Sequence, residues 1–250
     1  MEKIYKKNQL IKNHYDTSIN LKIKDYEYHR WFSSINNYLL FNDTYKAINR
    51  ELTNLKYSSV IEVGAGSGIW SKFLFLNSSD LQLYDVDISK EMINLHKKYF
   101  PRSNSVEYIN EDFTLLDLNK FEKKIDLFYS IRCIEYIENF NKLFENINFA
   151  LKDSGRGLII TKKAPLLRKT KIHTTNNGMV NLKKSISDNG MEIEKIRPVS
   201  YQFPVPYLRN LTFLTRFTNF SLKLIFKDKI TWFNYLFLET YLVLFKKNAN

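Results

Sequence analysis

Short apolar runs alternate with longer segments in which apolar residues recur every three or four positions. Runs at 59–63 (Ser-Val-Ile-Glu-Val), 81–87, 106–110, 125–130 and 158–161 are β-branched or aromatic and bounded by polar or glycine positions, which predicts buried strands. Helical spacing predicts helices at 69–76, at 90–99 with Ser89 as N-cap, and at 140–151, where Phe140, Leu143, Phe144, Ile147 and Leu151 share one side. The stretch 153–157, Asp-Ser-Gly-Arg-Gly, reads as a turn. Farther on, 180–189 reads as a helix stopped by Gly190 at its C′ position, 191–200 as a strand and 237–245 as a strong last strand. Ahead of the first strand, Trp31, Ile35, Leu39, Tyr45, Ile48 and Leu52 predict one or two helices over 25–55.

Strands alternating with helices predict an α/β fold, a doubly wound parallel sheet with helices on both faces. Ligands of such sheets sit beyond the carboxyl ends of the strands. With 250 residues, 44% hydrophobic, the chain supports one large domain with a full core. We divide it into an N-terminal helical cap (1–58), a core (59–203), an aromatic and basic insertion (204–234) and a final strand of the core sheet (235–250). The single cysteine, Cys133, allows no internal disulfide, and no metal site is expected. The Lys-rich start lacks the apolar run of a signal peptide, and no run of about 20 apolar residues occurs, so a cytoplasmic protein is expected. The net charge of +12 fits an anionic partner, but Lys and Asn are abundant throughout, so composition alone accounts for it as well.

The chemistry is concentrated where the first strand ends. Glu62-Val63-Gly64-Ala65-Gly66-Ser67-Gly68 is a glycine-rich turn between strand and helix, where bare backbone and free N–H groups let a ligand approach closely. A dinucleotide fingerprint starting at Gly64 would place Ile69 at its third glycine, and a β-branched residue there disfavours an NAD-linked oxidoreductase. The third glycine is instead Gly68, giving E-x-G-x-G-x-G. Asp87 closes the second strand roughly 20 residues beyond the turn, the spacing of a ribose-binding acid, and Asp85 competes with it from the same strand face.

These residues resemble the class I S-adenosylmethionine-dependent methyltransferases. The first motif is 60–68; 84–93 (Tyr-Asp-Val-Asp-Ile-Ser-Lys-Glu-Met-Ile) is similar to the family's second segment, 110–113 to the segment beside adenine, 125–130 to the fourth strand and 150–155 to the loop before the fifth. Where the family has a glycine pair, this chain has Ser154-Gly155 and Gly157. The resemblance spans about residues 59–200 and implies a mostly parallel seven-stranded sheet with an antiparallel last strand. It implies S-adenosyl-L-methionine as cofactor, bound through Glu62, Gly64, Ala65, Gly66, Gly68, Asp87, Ile88, Asp112, Phe113 and Ser130. Asp87 would accept from the ribose hydroxyls, Asp112 from the adenine amino group with Phe113 beside the ring, and Glu62 would face the cofactor's ammonium. His14-Tyr15-Asp16 is similar to a patch with which some relatives close over the cofactor. Methyl transfer needs alignment and exclusion of water more than a dedicated base. The candidates near the acceptor are Arg132 and Glu135 after the fourth strand, and His173 after the fifth.

From Arg209 to Lys227 the residues Arg209, Thr212, Arg216, Asn219, Lys223 and Lys227 form one polar, basic stripe on an otherwise apolar helix. Two readings stand: a helix packed on the domain with its polar edge in solvent, or a substrate cover or membrane-surface helix. The acceptors expected are small molecules or lipid- or glycan-linked groups, with peripheral membrane contact through 209–227. A nucleic-acid methyltransferase rests on charge alone. Ser-Ile-Arg-Cys at 130–133 lacks the Pro-Pro-aromatic run of base-methylating enzymes, and Cys133 follows Arg rather than Pro. A non-catalytic subunit of the same fold is disfavoured by the complete glycine motif.

Overall fold

The computed structural model describes residues 2–22, 26–99, 105–163, 178–203 and 211–248. Seven strands, β1 (Ser59–Val63), β2 (Gln82–Val86), β3 (Val106–Ile109), β4 (Ile125–Ile131), β5 (Leu151–Lys162), β6 (Met191–Tyr201) and β7 (Leu238–Lys247), form one sheet in the order β3-β2-β1-β4-β5-β7-β6. The first five run parallel, and β7 pairs antiparallel with both β5 and β6. The order reverses between β1 and β4, so the turns after β1, β2 and β4 converge at one edge.

Strand alternation produces the two layers. Val60, Leu83, Leu127, Tyr129, Leu158 and Leu242 point to one face, where α2 (Ile35–Leu52) and α3 (Ser71–Asn77) cover them with Ile48, Leu52 and Leu74. Ile61, Phe128, Ile159, Val243 and Phe245 point to the other, beneath Leu143, Phe144 and Ile147 of α5 (Phe140–Ala150) and Leu182 and Ile186 of α6 (Met179–Asp188). Each of these fully buried side chains contributes about 1.5–3 kcal/mol of burial free energy. Helix α4 (Lys90–Tyr99) follows β2, and Ser89 caps it by accepting from the Met92 N–H.

The structure departs from the sequence pattern in three places. A 21-residue helix, α1 (Glu2–Lys22), precedes the cap helices, where Lys-rich sequence gave no apolar stripe to read. The expected turn at 153–157 lies inside β5, which begins at Leu151 and shifts register against β4 between Ile125 and Leu127. Gly157 is there for packing: a Cβ would lie 2.0 Å from the Phe245 ring. The third departure is the insertion helix, α7 (Thr212–Phe226), followed by the short α8 (Trp232–Tyr235). Its polar stripe divides: Asn219 is buried and Lys223 half-buried against the domain, while Arg216 and Lys227 stay in solvent as a packed helix with a solvated edge requires. Thr215, Thr218, Asn219 and Leu222 are buried, while Phe213, Phe217, Phe220 and Leu224 are exposed. The inward turn of Asn219 and Lys223 has a cause. Asn219 donates to Asp43 of α2 at 2.7 Å and accepts from the Tyr201 N–H at 2.9 Å, and Lys223 pairs with Asp43 at 2.5 Å. These partners sit on elements distant in sequence and outweigh the local pattern.

Candidate functional site

At the carboxyl edge of β1 to β4 lies a cavity of about 1090 Å³ counting its open mouth. Its floor is the glycine turn. Gly64 has φ +74°, a Cβ there would stand 2.2 Å from Cys133 Sγ, and its N–H is held by the Val86 carbonyl at 2.8 Å. The turn is therefore bare backbone because no side chain fits between β1 and the segment after β4.

Asp87, just past β2, lines the cavity, and its two oxygens accept from the N–H groups of Gly66 at 3.0 Å and Ser89 at 2.8 Å. A carboxylate has about four acceptor sites, so two remain for a ligand's hydroxyls. Burial raises the Asp87 carboxyl to about 6, against the lowering effect of those two N–H donors. Asp85 does not compete: it is wholly buried and its carboxylate meets His96 Nδ1 at 2.6 Å. Asp112 lines the cavity next to the buried Phe113; its Oδ1 accepts from the Thr114 N–H and hydroxyl, both at 2.8 Å, and its Oδ2 from the Asn8 amide. Gly64, Ala65, Gly66 and Ile88 also line it.

Glu62, Gly68 and Ser130 do not line the cavity; they stand behind it. Glu62 is buried and accepts from Ser71 Oγ at 2.6 Å. Burial and then the neighbouring Asp85 raise its carboxyl to about 8. Ser130 Oγ donates to the Val63 carbonyl at 2.9 Å and ties β4 to β1.

Of the residues expected near an acceptor, Arg132 lines the cavity and Glu135 does not. Arg132 has φ +60°, a strained conformation for an arginine, and its Nε donates to Glu135 Oε1 at 2.9 Å. Burial opposes the guanidinium charge, but the Glu135 carboxylate overcomes it and holds Arg132 protonated. Burial likewise pushes the Glu135 carboxyl up, and Arg132 more than reverses it. Glu135 also accepts from Thr161 Oγ1 at 3.0 Å, so it fixes the arginine from behind. Arg132 Nη1 is buried and has no hydrogen-bond partner among the described residues, a donor beside the cavity. His173 lies outside the described residues. Among the described residues no group of three His, Cys, Asp or Glu is placed to hold a metal ion.

The N-terminal segment closes the cavity from above. Tyr15 lines it and meets Tyr136 edge-on at 5.9 Å, and Asp16 accepts from Ser89 Oγ at 2.5 Å, which pins α1 to the start of α4. Tyr26, Arg30, Trp31 and Trp70 complete this wall. The sequence pattern had placed Trp31 only in a helical stripe; the signal for a roof was the short Tyr15-Asp16 patch. Burial raises the Tyr15 hydroxyl and brings that of Tyr26 to about 12, so both stay protonated donors. Burial, reinforced by surrounding carboxylates, raises the Cys133 thiol and so favours its protonated form.

Residues 61–159 match the family model described as a methyltransferase domain. The chain is 28% identical over 103 residues to malonyl-[acyl-carrier protein] O-methyltransferase 2 of Ilyobacter polytropus, covering 41% of this chain and 39% of that one. It is 35% identical over 74 residues to ribosomal RNA small subunit methyltransferase A of Mesomycoplasma hyopneumoniae strain 232, covering 30% of this chain and 27% of that one. The chain thus matches less than half the length of these curated relatives. The fold is similar to that of the O-methyltransferase of a trans-AT polyketide synthase multienzyme of Brevibacillus brevis, solved with S-adenosyl-L-homocysteine. The TM-score is 0.59 at 16% identity over 91% of this chain and 82% of that one. Residues 61–159 thus match a methyltransferase domain, and the strand order around the glycine turn belongs to a sheet whose fold is similar to that of the O-methyltransferase.

Proposed function

We propose that this chain transfers the methyl group of S-adenosyl-L-methionine to a small-molecule or lipid- or glycan-linked acceptor. When bound, the cofactor supplies an electrophilic methyl carbon on a sulfonium. The remaining work falls to the chain's own residues. In our reading the Gly64–Gly66 backbone carries the cofactor's amino-acid end and Asp87 accepts from its ribose hydroxyls. Asp112 and Phe113 take the adenine edge and face. Sheet order runs β3, β2, β1, β4, so Asp112, Asp87, Gly64 and Arg132 follow one another along the cavity. The acceptor then belongs over β4, where Arg132, Tyr136 and the roof residues Tyr15 and Arg30 gather. Arg132 Nη1 would donate to an oxygen of the acceptor, and the aromatic roof excludes water while acceptor and methyl are aligned.

The observation that carries the acceptor class is the charge of the cavity wall. Glu27, Asp87, Glu111, Asp112 and Glu138 line it against two arginines, Arg30 and Arg132. The chain's excess of positive charge therefore lies elsewhere, and a polyphosphate backbone entering here would meet carboxylates. Nucleic acid is kept as a second reading because of the ribosomal RNA methyltransferase match. Transfer of a labelled methyl group from S-adenosylmethionine to extracted metabolites, lipids and RNA tests the choice. Label in lipid or small-molecule fractions, and none in RNA, is expected; label confined to RNA overturns the reading.

A further inference from the structure

Helix α7 presents to solvent the side chains that an amphipathic helix normally hides. Phe213 is 80% exposed, Phe220 68%, Ile225 67% and Leu224 66%, with Phe217 close behind. Just beyond it, Trp232 is 81% exposed. The orientation is held in place, because turning these rings inward would unpair Asp43 from both Asn219 and Lys223 and free the Tyr201 N–H. A solvent-facing aromatic stripe held by specific polar contacts marks a surface built to be covered.

We propose that α7, with Trp232 beside it, seats this domain on an anionic lipid bilayer surface. Charge selects that occupant. Arg216 and Lys227 lie on the same outward face as Phe213, Phe220 and Leu224, at spacings of three, four or seven, and both are exposed. Residues 204–227 contain no Asp or Glu, and the acid that follows, Asp228, is paired with Arg50 at 2.9 Å and Arg197 at 3.1 Å. Aromatic rings rimmed by cations match a bilayer boundary, where rings enter the acyl region and the cations meet lipid phosphates. Among the described residues no helix is long and apolar enough to cross a membrane, so the contact is peripheral.

The position of the face makes it useful. β6 runs parallel to β5, so Tyr201, on which α7 docks, ends at the same sheet edge as the cavity. Seating α7 on lipid brings that edge toward the headgroups. Resting on the acceptor reading above, this favours the lipid-linked class.

The test is co-sedimentation of the full chain with vesicles of phosphatidylcholine, with and without phosphatidylglycerol. The parent is expected to pellet with the mixed vesicles and to bind more weakly as salt rises. One buried ring corresponds to about a tenfold change in affinity, so Phe213→Ser/Phe217→Ser/Phe220→Ser loses about a hundredfold or more. Should that variant not fold, Phe213→Ser/Trp232→Ser, changed only at very exposed positions, is expected to lose about tenfold or more. Arg216→Gln/Lys227→Gln should remove the preference for phosphatidylglycerol. Equal pelleting of parent and triple variant overturns the proposal. So does a parent that binds no vesicles, or one that is a dimer in solution which the triple variant dissociates, since this face would then join two copies. S-adenosylhomocysteine binding, measured by calorimetry, should be equal in parent and triple variant. Its absence from both would count against the methyltransferase reading and leave the vesicle result standing by itself.

Discussion

Gly64→Ala is the sharpest perturbation of the cofactor turn. An alanine Cβ would lie 2.2 Å from Cys133 Sγ and 2.4 Å from Cys133 Cβ, and φ of +74° is the left-handed region. The conformation costs about 1–2 kcal/mol and the overpacking about 1–3 kcal/mol, so roughly 2–5 kcal/mol is expected. For a chain of this size that lowers Tm by roughly 4–20 °C. Gly66→Ala is the internal comparison: φ is +58°, but the nearest atom to its Cβ would be Met92 Sδ at 3.9 Å, so only the conformational cost of about 1–2 kcal/mol applies. The clash component should disappear in a Gly64→Ala/Cys133→Gly pair measured against Cys133→Gly alone, a coupling of about 1–3 kcal/mol. Denaturant melts of the parent and these four variants read all of this. Equal losses for Gly64→Ala and Gly66→Ala, or no coupling to Cys133, would refute the claim that the turn is bare because Cys133 fills the space above it.

Three further outcomes follow from the site. Asp87→Asn should weaken S-adenosylhomocysteine binding about tenfold to a hundredfold by removing charge-assisted acceptance. In the parent the affinity should fall as pH drops through about 6, where Asp87 takes a proton, and calorimetry across that range should find the step missing in the variant. Glu62 has its folded carboxyl raised from 4.5 to about 8, so its contribution to stability is complete below 4.5 and is lost as pH rises through about 8. Glu62→Gln keeps an acceptor for Ser71, so its stability advantage over the parent should grow from pH 6 to pH 9, by at most roughly 3 kcal/mol; a constant difference contradicts the assignment. Arg132→Lys keeps a cation for Glu135 and removes the planar donors, so the acceptor KM should rise about tenfold while S-adenosylhomocysteine affinity holds. Arg132→Ala should in addition cost about 3–5 kcal/mol by leaving the buried Glu135 unpaired.

The parallel core was legible because its signals are local. Val60, Ile61 and Val63 are apolar on both strand faces, as a strand covered on both sides must be, and the glycines follow directly. Asp87 could not be separated from Asp85 by alternation, since both lie on one face; the difference is that Asp85 stays within β2 beside His96, whereas Asp87 lies one residue past its end. The inward turn of Asn219 and Lys223 on α7 was illegible for a related reason. A polar stripe predicts a solvent face unless something polar waits beneath it, and Asp43 and the Tyr201 N–H come from elements far away in the chain. The roof was hidden too: Tyr15, Tyr26 and Trp31 become cavity residues only through the packing of α1 and the turn at Tyr28–Phe32 against the sheet edge.

The account depends most on the cavity beyond β1 and β2 being an adenosyl site. Titration of the purified chain with S-adenosylhomocysteine, alongside NAD, measures that directly. One-to-one binding of the adenosyl ligand, weakened by Asp87→Asn and absent for NAD, is the expected result; a folded chain that ignores S-adenosylhomocysteine, or binds it equally well without the Asp87 carboxylate, contradicts the account.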